Sequence, residues 1–443
     1  MNQADEGNEK SKAQVTIRPS VDRDRNLFWL LRVPYTRVQQ WKLANKMRKV
    51  QFSGLAQCQP DASTAEVQPK SRFPRVDPSL GPGVNLYGYM RAEFGLGQSA
   101  RRYASALLHA GYPVALNDAN IEIPHASGDR SLAGLVGGQA PYPVNLVFVN
   151  PDHFSELLPR LRRDTYTIGF WFWELETVPE AWNEALSFVD EVWVSTEFVA
   201  QAFRRATGKP VVRIPHPVDV ERTQELPRAC FDLDENAFVF LCSFDFNSSI
   251  HRKNPFAVVD AFKIAFPDRG RAVQLLIKTS NGHRHLEALE LLRDHAGDDS
   301  RILIRDQILQ NFMVTALQQA ADAYVSLHRA EGLGLGMAES MALGKAVIGT
   351  AWSGNLDFMT EENSCLVPCR LIPVQDQQYL HAQAGHWAQA DVQAAANWMV
   401  RLAGSAELVR KKGQAAQRDV MASMNHQTAA AAMIARLRHL ELQ

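Results

Sequence analysis

The stretch Glu331-Gly-Leu-Gly-Leu-Gly-Met-Ala-Glu339 sets two carboxylates on either side of three glycines. Upstream, Ala323-Tyr-Val-Ser-Leu327 is an apolar alternating run that reads as a buried strand. Downstream, Met337-Ala-Glu-Ser-Met-Ala-Leu343 reads as a helix stopped by Gly344. The chain thus leaves a strand, turns through Gly332, Gly334 and Gly336, and enters a helix. Amides at such a helix start form a ready anion site, and glycine lets a phosphate approach the backbone closely. Glu331 precedes the turn and Glu339 follows about one helical turn after it. Two carboxylates beside a diphosphate cradle suit the hydroxyls of a sugar and a ribose, which points to a nucleotide-sugar site.

The whole run from Ser326 to Gly349 closely resembles, without gaps, the E-x7-E region of retaining glycosyltransferase family 4, whose members have the GT-B fold. That resemblance implies two doubly wound Rossmann-like domains facing across a cleft. It also implies a role for each residue: Glu331 at the donor sugar, the amides of Gly332, Leu333, Gly334 and Leu335 on sugar and diphosphate, and Glu339 on the ribose. His328 lies just before, at a strand's C-terminal end, where α/β sheets bind ligands. Ser353-Gly354-Asn355 follows the next strand, and the corresponding family loop closes over the donor.

Leaving-group charge in such a transfer is neutralised by a metal or by cationic side chains and helix N-termini. Arg252-Lys253, in a loop after a predicted strand and just before a helix, resembles the family's diphosphate clamp. Lys253 fits its lysine. The family's arginine sits about five positions earlier, where this chain has Asn and Ser, so Arg252 is expected to replace it. No Asp-x-Asp motif of the metal-dependent kind is seen, and neither a metal nor a cofactor is expected. Gly95-x-Gly97-x-x-Ala100 approximates a phosphate loop, and the resemblance makes Gly97 face the donor diphosphate. The base-binding segment is expected at Arg305 to Ile308. On the acceptor side the family's usual histidine is missing; Trp173, Glu174 and His153 are the candidates.

The chain has 443 residues, 46% hydrophobic and 21% charged, with a formal net charge of -1. That is an ordinary globular composition, large enough for two domains. Strands alternating with helices indicate parallel doubly wound sheets. The expected division is an extension over 1–82, an acceptor-side domain over 83–222, a nucleotide-sugar domain over 223–427, and a C-terminal helix over 428–443 crossing back to the first domain. The Ala-rich stretch from Asp391 is read as helical, broken at Gly413. Five cysteines, Cys58, Cys230, Cys242, Cys365 and Cys369, are read as uncombined thiols.

Met1 to Arg25 and Ser53 to Pro82 read as disordered or loosely packed. Between them, Arg25 to Lys49 carries seven Lys/Arg and no acidic residue, and the aromatic residues of Leu27 to Val50 suit an anionic membrane surface as well as packing onto protein. The first twenty residues are polar and no run reaches the ~20 apolar residues of a membrane helix. A cytoplasmic protein, peripheral at most to the inner face of the membrane, is expected. Its partners would be a nucleotide sugar and a saccharide or lipid-linked sugar acceptor, with no nucleic acid. The expected reaction is hexose transfer in polysaccharide or glycolipid assembly. Alternatives left open are another GT-B enzyme, such as an epimerase or sugar phosphorylase, and a non-catalytic carbohydrate-binding scaffold.

Overall fold

Apolar runs flanked by amphipathic helices can bury both of their faces only in a parallel sheet covered on each side. β1 (Val84–Gly88), β2 (Val114–Asp118), β3 (Val144–Phe148), β4 (Tyr166–Phe170), β5 (Glu191–Val194) and β6 (Val211–Arg213) form a six-stranded parallel sheet in the order β2-β1-β3-β4-β5-β6. Successive side chains point to opposite faces. Leu86, Leu146, Phe148 and Ile168 accordingly enter one apolar cluster, and Tyr87, Val147 and Val192 another. These positions belong to a computed structural model that describes residue 47 and residues 50–57, 83–161, 165–218, 220, 222–374, 379 and 385–441.

The second half repeats the plan. β7 (Phe238–Asp245), β8 (Val273–Ser280), β9 (Ile302–Asp306), β10 (Ala323–Ser326), β11 (Ala346–Thr350) and β12 (Cys365–Val367) form a parallel sheet in the order β12-β11-β10-β7-β8-β9. Strand order reverses between β7 and β10, and the crevice outside such a switch point is where open α/β sheets bind ligands. An antiparallel hairpin, β13 (Cys369–Pro373) with β14 (His386–Ala390), was not foreseen. It contributes only Trp387, Ala388 and Ala390 to the interior, so its apolar signal is short.

Three expectations are corrected. Ser53 to Gln57 is not loose: the segment from Val50 docks on the second sheet's domain, with Val50 and Phe52 buried, Phe52 against Phe231 at 5.8 Å. The Asp306 amide donates to the Val50 carbonyl (2.5 Å) and the Phe52 amide to Gln307 (3.2 Å). Gly413 breaks nothing, because it lies inside the helix Ala406–Ser423 and lets that helix touch the turn at Gly344, whose carbonyl oxygen would sit 2.0 Å from an added Cβ. The helical stretch is instead broken after Ala403 and after Ser423. Cys242, Cys365 and Cys369 are free, whereas Cys230 is disulfide-bonded. Apart from Met47 and Val50, the basic aromatic segment lies outside the described residues. No described helix is long and apolar enough to cross a membrane.

The last helix, His426–Glu441, packs on the helix Gly95–His109: Ala429, Ala430, Met433 and Leu437 join the cluster that holds Tyr103 and Leu107. Beside this seam the fully buried Glu191 carboxylate receives Arg436 (2.6 Å), the Trp193 indole (2.7 Å) and the Tyr166 hydroxyl (3.0 Å). Removing the cation strands a buried charge. Arg436→Met should therefore lower unfolding free energy by roughly 3 kcal/mol, read by urea denaturation. A loss within error would mean that the pair contributes nothing to docking this helix.

Candidate functional site

The site is assembled by joining the loops that follow β7 and β10. After β7 the chain makes a tight turn, then the short helix Ile250–Lys253, entered and left through positive φ at Ser249 (62°) and Asn254 (52°). Such values are costly for residues with a Cβ, and side-chain bonds offset them. Ser249 Oγ accepts from the Arg252 amide (3.4 Å), and Asn254 Nδ2 donates to the Leu327 carbonyl at the end of β10 (2.9 Å). The Arg329 amide donates to the Arg252 carbonyl (2.8 Å). These bonds fix Arg252 and Lys253 beside Glu331.

Glu331 lies nearly buried between them. Lys253 Nζ reaches Oε1 at 2.5 Å and Arg252 Nη1 reaches Oε2 at 3.4 Å. Burial opposes ionisation of this carboxyl, but Lys253 and Arg252 together outweigh it and hold its pKa down at about 2. Arg252 also donates to the Ala330 and Ser248 carbonyls (3.0 and 3.2 Å) and lies 3.6 Å from Glu174. Glu174 in turn accepts from Tyr379 (2.9 Å), so the first half of the chain touches the cluster directly.

The glycine ladder follows. Gly334, at φ +88°, caps the helix Leu335–Ala342, and the amides of Gly332 to Leu335 lie in this turn. An added Cβ at Gly332 would stand 2.5 Å from the Trp173 carbonyl oxygen, so only glycine allows the ladder this close to the first half. The Gly332 carbonyl accepts from Thr196 Oγ1 (2.8 Å). Ser353 Oγ accepts from the Glu331 amide (2.9 Å), and Gly354 donates to the Glu331 carbonyl (2.9 Å), so the Ser353–Asn355 loop braces Glu331 from behind.

Glu339 points toward the first half. Its Oε1 accepts from Arg102 Nη2 (2.6 Å) and Gln98 Nε2 (3.1 Å), and its Oε2 from Gln318 Nε2 (3.4 Å). Gln98 and Arg102 are one turn apart on the helix Gly95–His109, on one face. Gly97 sits in that helix's first turn, packed so tightly that a Cβ would meet the Ala92 carbonyl oxygen at 2.6 Å.

Some of the predicted residues are not brought to the surface of the site. His328 and Asn355 are both fully buried and hydrogen-bonded to each other (3.1 Å), with Asn355 also donating to Thr350 (2.9 Å). Desolvation lowers the His328 pKa, so the imidazole is a neutral brace between two loops. His153 is half-exposed on its own helix and paired with Glu156 at 2.7 Å, away from the cleft residues; its neighbours Asn150 and Asp152 line the cleft instead. Trp173 is mostly buried, stacked near Tyr379 (6.2 Å) and edge-to-face with Trp182 (4.7 Å), and its indole donates to the Thr177 carbonyl (2.7 Å). Sequence reading missed Gln98, Arg102, Thr196, Gln318 and Tyr379. Arg102 and Gln98 carry only an i, i+4 spacing on a helix face, which is the pattern of any solvated pair.

A 1270 Å³ cleft opens beside Arg252, lined from both halves by residues including Asp152, Trp173, Glu174, Asp245 and Arg252. A smaller 120 Å³ hollow is lined by Ser243, Lys278, Ser280, Val314 and Gln318, the last being Glu339's partner. In the segment expected for the base, Asp306 is buried and accepts from the Gly282 amide and Thr279 Oγ1, each at 3.0 Å. Among the described residues no group of three or more His, Cys, Asp or Glu is placed to hold a metal ion.

Residues 237–386 match the family described as Glycosyl transferases group 1, a span that holds the second sheet, Lys253, Glu331 and Glu339. No curated protein sequence matches the chain. Among solved structures, sucrose-phosphate synthase from Thermosynechococcus elongatus is similar at TM-score 0.59 and 19% identity, over 82% of this chain and 100% of that one. Anabaena HepE, solved with UDP and glucose, gives TM-score 0.58 and 13% identity over 81% and 100%. A glycosyltransferase from Rickettsia africae gives 0.59 and 12% over 81% and 98%. The matched domain, the switch-point site within it and the two doubly wound sheets make this chain a glycosyltransferase of the GT-B fold.

Proposed function

We propose that this enzyme moves a hexose from a nucleoside-diphosphate sugar to a saccharide or glycolipid acceptor, with retention at the anomeric carbon, in polysaccharide assembly. The observation that carries the reading is the ionised Glu331 held between Lys253 and Arg252 at the switch point of the second sheet. A carboxylate kept charged in a nearly dry pocket is an acceptor for donor-sugar hydroxyls. The two cations, with the amides of the Gly332–Leu335 turn, would balance charge on the departing diphosphate without a metal. The bond from the anomeric carbon to the diphosphate oxygen breaks, and the bond to the acceptor oxygen forms on the same face. The acceptor proton passes to a departing phosphate oxygen. Catalysis then comes from positioning and fixed charge.

Glu339 is assigned to the ribose. The cleft beside Arg252 is assigned to the acceptor, with Trp173 as an apolar wall and Glu174 as a hydroxyl ligand. UDP-glucose is the first donor to assay, because HepE was solved with UDP and glucose; GDP-sugars are the second.

Glu331→Gln and Lys253→Ala should each reduce transfer by about 10²-fold or more while circular dichroism stays unchanged. Near-normal turnover in both variants would refute the assignment. NMR of the product's anomeric configuration tests retention, and an inverted linkage removes that part of the proposal.

Glu331 also links stability to pH. Its pKa falls on folding to about 2, so its contribution is present above the ordinary carboxylate value of 4.5 and is lost as pH falls toward 2. Glu331→Gln should therefore cost on the order of 2–3 kcal/mol at pH 7, with the gap to the parent closing between pH 4.5 and pH 2. A gap that stays constant across that window would show that the carboxylate is not held by its two cations.

A further inference from the structure

Glu339 is already occupied. A carboxylate offers about four acceptor sites, roughly two per oxygen. Both sites of Oε1 are taken, by Arg102 Nη2 at 2.6 Å and Gln98 Nε2 at 3.1 Å, while Oε2 holds only Gln318 at 3.4 Å. A ribose cis-diol chelates a carboxylate with one hydroxyl on each oxygen, and so needs a site on Oε1. Both incumbents there come from one face of the helix Gly95–His109 in the first half of the chain, whereas Gln318 belongs to the second. The ribose and the first-half helix cannot hold Glu339 in full together.

We propose that Arg102 and Gln98 form a latch on Glu339 that a ribose diol displaces, so that donor binding releases the helix Gly95–His109 from the nucleotide-sugar domain. This rests on the ribose role assigned to Glu339 above. The latch is not ideally made. Arg102 Nη1 is buried and has no hydrogen-bond partner among the described residues, which taxes the latched arrangement and makes exchange accessible. Other cross-contacts bear on backbone or lie apart from the ribose carboxylate: Thr196 to the Gly332 carbonyl, and Asp357 to Arg213 and to the Glu197 amide. The latch is therefore the contact through which ribose can be sensed, and it makes the 2′-hydroxyl compete against protein bonds as well as water.

The test compares UDP with 2′-deoxy-UDP, and GDP with 2′-deoxy-GDP, by titration calorimetry on the full chain. The deoxy form offers a single hydroxyl, which the open site on Oε2 can accept, so it does not have to break the latch. Taking the ratio of dissociation constants, deoxy over ribo, cancels any effect of Arg102 on the diphosphate. In the double variant R102A/Q98A the ratio should rise about threefold to tenfold above the parent's, the worth of a partly exposed ion pair with its hydrogen bond. A purely structural role for the pair would move both ligands equally and leave the ratio unchanged, and that result, or a fall, overturns the latch. Arg102→Gln alone gives the same readout if the double variant does not fold. Glu339→Gln should bring the ratio close to one. A ratio that Glu339→Gln leaves untouched removes the ribose assignment itself, whereas loss of the ratio in Glu339→Gln with no rise in R102A/Q98A removes only the latch.

Discussion

Glu331 can be a buried carboxylate only because Lys253 and Arg252 arrive beside it from a different strand. Desolvation alone would drive such a group to its neutral form, and paired cations reverse the balance. The geometry behind that pairing is the adjacency of β7 and β10, neighbours in space although 77 residues, 246–322, lie between the end of one and the start of the other. The bonds between their loops, Asn254 to Leu327 and Arg329 to Arg252, hold that adjacency to within hydrogen-bond tolerance. Loosening them would leave a charge without a partner in a place water hardly reaches.

The same loop is pressed from the other side by the first half of the chain. Trp173 abuts Gly332, Thr196 bonds its carbonyl, and Glu174 faces Arg252. Glycine is thus required at 332 by the approach of a second backbone, and at 334 by the left-handed turn. His328, Asn355 and Ser353 form the support behind the motif. Their polar atoms are spent on one another and on backbone groups, as buried polar groups must be. Their places after strand ends made them resemble ligand residues, yet burial gives His328 and Asn355 the work of bracing the loops around Glu331.

Most strands and long helices were legible because apolar runs and helical stretches of ordinary length alternate twice along the chain. The misses have a common cause. Gly413 reads as a helix breaker until Gly344 is seen against it, and Val50 and Phe52 read as part of an N-terminal extension until Phe231 and Asp306 are placed beside them. His153 was chosen by its nearness to a strand end, but its helix turns it outward while Asn150 and Asp152 face the cleft. Arg102 and Gln98 look like any exposed pair until the ladder's second glutamate appears across from them.

Residue order alone determined two α/β alternations and a strand-glycine-helix turn bracketed by carboxylates, because periodicity and backbone freedom are local properties. Which cations meet Glu331, which helix holds Glu339, and which histidines are walled in were decided by tertiary structure. Those outcomes depend on strand order and on the approach of distant backbones, and a partner fixed by approach across space leaves no trace in local spacing.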